Sequence, residues 1–164
     1  MSSTESNLKE AFAGESQAFQ KYRAFAKKAE QEGFANIARL FRTTAEAERI
    51  HAEGHAAALG VVGATAENLR AAIAGETHEF TEMYPDFIAL AEKDGNNAAA
   101  MSFKNANAVE EIHAGLYQKA LDSLGSNKET VYYVCQVCGN TVEGEAPDKC
   151  PICGAPKKMF KLVE

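Results

Sequence analysis

The first 130 residues contain no cysteine and a single proline, Pro85. This part of the chain is therefore open to long helices with one interruption. No apolar run is long enough to span a membrane, and residues 1–6 lack the basic and apolar regions of a signal peptide. A cytoplasmic chain without a membrane partner is expected. Basic blocks are missing too, and the net charge of −6 argues against nucleic acid as a partner. The acid is unevenly placed. Residues 1–130 carry 13 basic and 19 acidic side chains, whereas residues 131–164 carry 4 of each.

That excess acid has a pattern. Glu48-Arg49-Ile50-His51 recurs 62 residues later as Glu110-Glu111-Ile112-His113. On an α-helix, residues three apart share a face with Cβ atoms about 5–6 Å apart, so a carboxylate and an imidazole can meet one divalent metal. Upstream, Ala13-Gly14-Glu15-Ser16 through Phe19 is echoed by Ala74-Gly75-Glu76-Thr77 through Phe80, offset by 61. The chain reads as a duplicated helical hairpin. Each copy offers one Glu from its first helix and a Glu-x-x-His from its second, the di-metal donor pattern of ferritin-like bundles. Ala18 of the first copy corresponds to Glu79 of the second, which makes Glu79 a surplus carboxylate.

The spacing predicts four helices. The first runs from about Thr4 to Gln31, with Leu8, Phe12, Glu15, Phe19, Tyr22 and Ala26 inward. The second runs from about Phe34 to Leu59 and presents Glu48, His51 and His55 inward. Residues 60–65 form the connection, with Thr65 able to cap the third helix. That helix runs to about Asp94, and Pro85 inside it predicts a kink or bulge with a freed carbonyl near Thr81. The fourth runs from about Asn97 to Leu124, with Glu110, His113 and Tyr117 inward. Glu15, Glu48, Glu76 and Glu110 all fall on the inward stripe, with no inward Arg or Lys to pair them. Unpaired buried charge is costly, so a metal explains them better than packing does. Phe12, Phe19, Phe80, Phe87 and Phe103 read as core that keeps the site dry. Tyr22 and Tyr84 are placed to hydrogen-bond ligand carboxylates. His55 reads as a plain histidine and His78 as a non-ligand.

Composition changes after Lys128. Residues 131–164 hold all four cysteines, as Cys135-x-x-Cys138-Gly139 and Cys150-Pro151-x-Cys153-Gly154. Two such knuckles point to a Cys₄ metal site. Thirty-four residues cannot bury an adequate core, so the metal should hold the unit together. Zinc and iron both accept four thiolates, and the spacing leaves that choice open.

Together these pieces resemble the rubrerythrin family over nearly the whole length. The matching segments are Gly14-Glu15-Ser16, Glu48-x-x-His51, Gly75-Glu76-x-x-Glu79, Glu110-x-x-His113, Val131 to Cys135, and Cys150 to Ala155. The resemblance implies a mainly α protein: a ferritin-like four-helix bundle over residues 1–126, a linker at 127–130, and a rubredoxin-like domain over 131–164. It implies an oxo- or hydroxo-bridged di-iron centre held by Glu15, Glu48, His51, Glu76, Glu79, Glu110 and His113. One iron in such proteins exchanges a carboxylate for a histidine on reduction, here Glu79 and His51. A rubredoxin-type iron would sit on Cys135, Cys138, Cys150 and Cys153, with zinc as a substitute.

The implied activity is reduction of hydrogen peroxide to water in oxidative-stress defence. Electrons would come from a redox protein such as a rubredoxin or its NAD(P)H reductase. A ferroxidase or iron-handling role is the alternative, and a structural module holding zinc is a third. An attached one-electron relay favours the first. A head-to-tail homodimer is expected. From linker length alone, folding back of the Cys₄ domain onto its own helices needs a taut connection, so relay between subunits is expected.

Overall fold

The computed structural model describes residues 3–126 and 129–163. Residues 127 and 128 of the expected linker lie outside the described residues, as do the ends of the chain. The protein is mainly helical, with a small C-terminal sheet. Compactness divides it into Met1–Gly63 and Ala64–Glu164.

The first unit is a hairpin of α1 (Thr4–Gln31) and α2 (Ala35–Leu59). Ser3 caps α1 by accepting from the Ser6 N–H at 3.1 Å. Gly33, at φ 84°, takes the left-handed turn that lets the chain reverse. Alanines make the seam: Ala26 and Ala29 on α1, and Ala38, Ala45 and Ala52 on α2, spaced by seven, are the buried positions. Small side chains let two helices approach closely. The aromatic core expected from the stripe is not what is buried here, since Phe12 is 36% exposed.

The second unit begins with α3 (Thr65–His78), followed by a π-helical turn (Glu79–Met83), α4 (Tyr84–Lys93) and α5 (Asn97–Asp122). Thr65 is the first residue of α3 rather than its cap. The Glu67 carboxylate takes the orphan N–H of Ala64 at 2.8 Å instead. The bulge expected from Pro85 is the π turn. Proline has no N–H to offer Thr81, and the Tyr84 N–H reaches back five residues to the Glu79 carbonyl.

The π turn also accounts for a mismatch in the repeat. Glu15 and Phe19 match Glu76 and Phe80 at an offset of 61, but Tyr22, Phe25, Phe41 and Glu48 match Tyr84, Phe87, Phe103 and Glu110 at 62. One residue is added between Phe80 and Tyr84, and a π turn is how a helix absorbs one extra residue without losing its face. Beyond it the copies agree closely. The rings of Tyr22, Phe25 and Phe41 form a triangle with centroids 6.2, 6.2 and 5.5 Å apart. Tyr84, Phe87 and Phe103 form another at 6.3, 6.1 and 5.6 Å.

The tail folds as an antiparallel sheet in the order β2-β1-β3, from β1 (Tyr132–Cys135), β2 (Thr141–Glu143) and β3 (Phe160–Val163). It packs on α5 through β2, which joins it to the second hairpin. Val109 of α5 is 2% exposed and faces Gly139, and Lys119 is ion-paired with Glu143.

Candidate metal centres

Each hairpin gathers one carboxylate–histidine group. Glu15, Glu48 and His51 bring ligand atoms within 4.8 Å of one another, and so do Glu76, Glu110 and His113. The helical spacing does this directly. His51 Nδ1 stands 2.8 Å from Glu48 Oε2, three residues away, and 4.0 Å from Glu15 on the facing helix. His113 Nδ1 stands 2.8 Å from Glu110 Oε2 and 3.7 Å from Glu76. In both groups the same imidazole nitrogen meets the carboxylates.

The donor chemistry fits a hard divalent or trivalent ion. Two carboxylates converge in each group, and among the described residues no Lys or Arg pairs with them. Arg49, beside Glu48 in sequence, turns away to Glu46 and Glu53. Burial, and then the neighbouring Glu110, raise Glu76 above the ordinary carboxylate range. Two carboxylates held this close repel, and a cation between them removes the conflict.

The expected accessory residues behave unevenly. Glu79 sits in the π turn and is not drawn into either group. Tyr84 is near enough to the second group that burial, and then the charges of Glu110, Glu79 and Glu76, push its phenol up and keep it protonated. Tyr84 makes no hydrogen bond among the described residues. Tyr22 likewise meets only the rings of Phe25 and Phe41. His78 pairs with Glu82 at the surface, 3.5 Å away, and His55 joins neither group. Phe87, expected in the core, is 43% exposed.

The four cysteines form the second kind of site. Cys135 and Cys153 place their sulfurs 3.7 Å apart, and Cys138 and Cys150 3.6 Å. A tetrahedral ion with metal–sulfur bonds of about 2.3 Å needs edges of about 3.8 Å, whereas a disulfide needs about 2.05 Å. The two knuckles are built alike. The Gly139 N–H donates to the Cys135 carbonyl and the Cys135 N–H to that of Asn140, both at 2.9 Å. The Gly154 N–H donates to the Cys150 carbonyl at 2.9 Å and the Cys150 N–H to that of Ala155 at 2.7 Å. Gly139 and Gly154 both have positive φ, 84° and 76°, which lets these turns close.

Backbone amides then point at sulfur. Burial pushes the Cys138 thiol up to about 12, against the opposing amide of Asn140. Burial works against Cys150 as well, but the amides of Cys153 and Ile152 overcome it and lower that thiol to about 6. Amides that favour a thiolate suit a metal ligand.

Two polar residues here were not singled out from sequence. Asn140, 1% exposed, directs its side-chain amide at the Cys150 sulfur from 3.6 Å. Thr141 places Oγ1 2.9 Å from His113 Nε2 and 3.1 Å from the Gly139 carbonyl. A polar pair directly behind Cys-x-x-Cys-Gly, at the start of a strand, was the available signal. The Cys₄ module lies on α5 of its own chain, with Thr141 within hydrogen-bond distance of His113.

Oxygen donors grouped with imidazole on long helices, beside sulfur donors on a separate small sheet, define a non-haem metalloprotein with two unlike metal sites. The comparisons specify it. Residues 6–121 match the family model described as rubrerythrin, and residues 133–161 match that of the rubrerythrin rubredoxin-like domain. The chain is 38% identical to nigerythrin of Nitratidesulfovibrio vulgaris over 172 residues, covering 96% of this chain and 85% of the relative. It is 38% identical to a rubrerythrin of Porphyromonas gingivalis over 182 residues, covering 99% and 91%. A solved structure of nigerythrin in its fully reduced, all-ferrous state superposes with a TM-score of 0.61 at 36% identity, covering 99% of this chain and 88% of that one. The chain belongs to the rubrerythrin family.

Proposed function

We propose that this protein is a peroxidase that reduces hydrogen peroxide to water, with electrons passing through the Cys₄ site. The observation that carries this reading is the position of the Cys₄ module. It rests on the helix that bears Glu110 and His113 and touches His113 itself. Iron handling alone gives no reason for a thiolate site at that point.

In this reading Glu15, Glu48 and His51 hold one iron and Glu76, Glu110 and His113 the other, while Cys135, Cys138, Cys150 and Cys153 hold a third. Iron in the carboxylate groups supplies the two-electron reduction, H₂O₂ + 2e⁻ + 2H⁺ → 2H₂O. The chain's own residues do the rest. The carboxylates favour the oxidised ion and bring charge balance. Tyr84, kept protonated, is placed to donate a hydrogen bond into the second group. Glu79, outside the groups on an irregular turn, is a carboxylate free to move in. His51, 56% exposed, is an imidazole free to move out. These two are the ligands proposed to exchange when the redox state changes. The phenyl rings of Phe87 and Phe103 pack on Tyr84, at 6.3 and 6.1 Å between centroids, and restrict where its phenol can turn.

The electron donor is proposed to be a rubredoxin or an NAD(P)H-linked reductase, and the protein to act in the cytoplasm as a head-to-tail homodimer. No helix among the described residues is long and apolar enough to cross a membrane. Anaerobically reduced protein mixed with peroxide or with O₂ tests the reading. Rapid bleaching recovery by peroxide, with slow reaction toward O₂, is the expected result. Faster oxidation by O₂ coupled to iron uptake would favour ferroxidase instead.

A further inference from the structure

We propose that Thr141 of the Cys₄ module is a positioning residue for His113, holding the imidazole with Nδ1 turned toward Glu110 and Glu76 and fixing the module on α5. This rests on the reading of His113 as a metal ligand. Three observations carry it. First, the two ring nitrogens of His113 are divided between partners. Nδ1 faces Glu110 at 2.8 Å and Glu76 at 3.7 Å, and Nε2 faces Thr141 Oγ1 at 2.9 Å. Second, the Thr141 hydroxyl has its own acceptor, the Gly139 carbonyl at 3.1 Å. The hydroxyl can therefore accept from Nε2–H while donating to Gly139, one residue beyond Cys138. That arrangement places the proton on Nε2 and leaves the Nδ1 lone pair for a metal. Third, the contact is partly buried. It forms part of the wall of a half-open, largely apolar cleft of about 310 Å³, with Leu69, Leu116, Tyr117 and Tyr132 around it, and a hydrogen bond gains strength as its surroundings become less polar than water.

His51 supplies the contrast within the same molecule. Its Nδ1 makes the same 2.8 Å contact with Glu48, but its side chain is 56% exposed against 26% for His113. Among the described residues nothing hydrogen-bonds His51 Nε2. A hydrogen-bond partner on the far nitrogen orients a ligating imidazole and raises its basicity, and its loss usually weakens metal binding by about 10–100-fold. The module thus has a role at the carboxylate site besides carrying electrons: it sets the orientation of one of the two imidazoles.

The test uses the full-length chain, labelled with ¹⁵N at histidine and loaded with zinc, in three forms: parent, Thr141→Val and Thr141→Ser. Valine keeps the branched shape that suits a strand and removes the hydroxyl; serine keeps the hydroxyl. Imidazole NMR should show a His113 Nε2–H protected from solvent exchange in parent and serine forms and lost in the valine form. His51, unpartnered at Nε2, should show no such signal in any form. Zinc affinity of the carboxylate sites should fall about tenfold with valine and stay near the parent value with serine. A valine variant that binds zinc within twofold of the parent overturns the proposal. If His113 Nδ1 in the parent does not shift on adding zinc, the ligand reading itself fails, and the proposal with it.

Discussion

Glu15, Glu48 and His51 on the first hairpin have the same donors as Glu76, Glu110 and His113 on the second, and the same 2.8 Å contact between imidazole Nδ1 and the carboxylate three residues earlier. The surroundings differ. The second group lies beside a π turn that adds one residue and carries Glu79, and the Cys₄ module seats Thr141 behind its histidine. The first has an uninterrupted α1, an alanine at the position of Glu79, and an exposed histidine. Duplication copied what helical periodicity encodes, namely the ligands and the ring triangles. The differences come from one inserted residue and one appended sheet. In the proposed reading they divide the labour, with His113 held by Thr141 and with His51 and Glu79 as the ligands that exchange.

The largest expected effect separates the thiolate site from both groups. Cys150→Ser should remove steady-state peroxide turnover with an external reductant, by at least about 100-fold, while the helices still bind metal, about tenfold more weakly where Thr141 no longer holds His113. Cys135, Cys150 and Ala155 are the buried centre of the module, so losing one sulfur removes both its metal and its core. Chemically pre-reduced variant should still consume peroxide in a single turnover. Loss of that turnover would mean that the sites are not separable.

The next effect sets the two histidines against each other. His113→Ala should weaken iron binding roughly tenfold more than His51→Ala, because only His113 is oriented from behind. Metal titration of both variants decides the matter, and equal losses would erase the asymmetry. Smaller again, Glu79→Ala should retain both irons and slow turnover, since neither ligand group includes it. Metal analysis finding fewer than two bundle irons would sink that expectation.

What could be read from the sequence followed from local geometry. Glu-x-x-His placed two donors on one helical face wherever that helix packed. Pro85 marked the bulge because a missing N–H disrupts any helix in which it sits. The Cys-x-x-Cys-Gly pairs marked the tetrathiolate because each knuckle closes on itself. Contacts set by distant packing were not legible. Thr141 and His113 are 28 residues apart, and their meeting depends on where the module comes to rest. The aromatic stripe suggested a phenylalanine core, yet the fully buried positions of the α1–α2 seam are alanines, and the rings of Tyr22, Phe25 and Phe41 meet only in a partly exposed cluster beside it. Thr65 looked like a cap by type, but α3 begins at Thr65 itself, and the carboxylate that serves this end is that of Glu67, which accepts from the Ala64 N–H.

The smallest effect tests what holds the module to the second hairpin. Two candidates lie on one side of α5. Lys119 is ion-paired with Glu143, and Val109 is buried against Gly139. The lysine side chain is 65% exposed, so the pair is screened by solvent, and exposed pairs contribute about 0–1 kcal/mol. Its removal leaves no stranded charge, because Glu143 also accepts from the Thr130 hydroxyl at 3.0 Å. Val109 is 2% exposed, and trimming it to alanine removes two buried methyl groups, roughly 1–2 kcal/mol. Lys119→Ala should therefore shift protection of the β2 amides in hydrogen exchange only slightly, and less at high salt in the parent comparison. Val109→Ala should lower it by about tenfold. If the lysine variant loses more protection than the valine variant, charge rather than packing seats the module. Its hold on His113 would then depend on ionic strength, and the contrast between the two histidines would fade as salt rises.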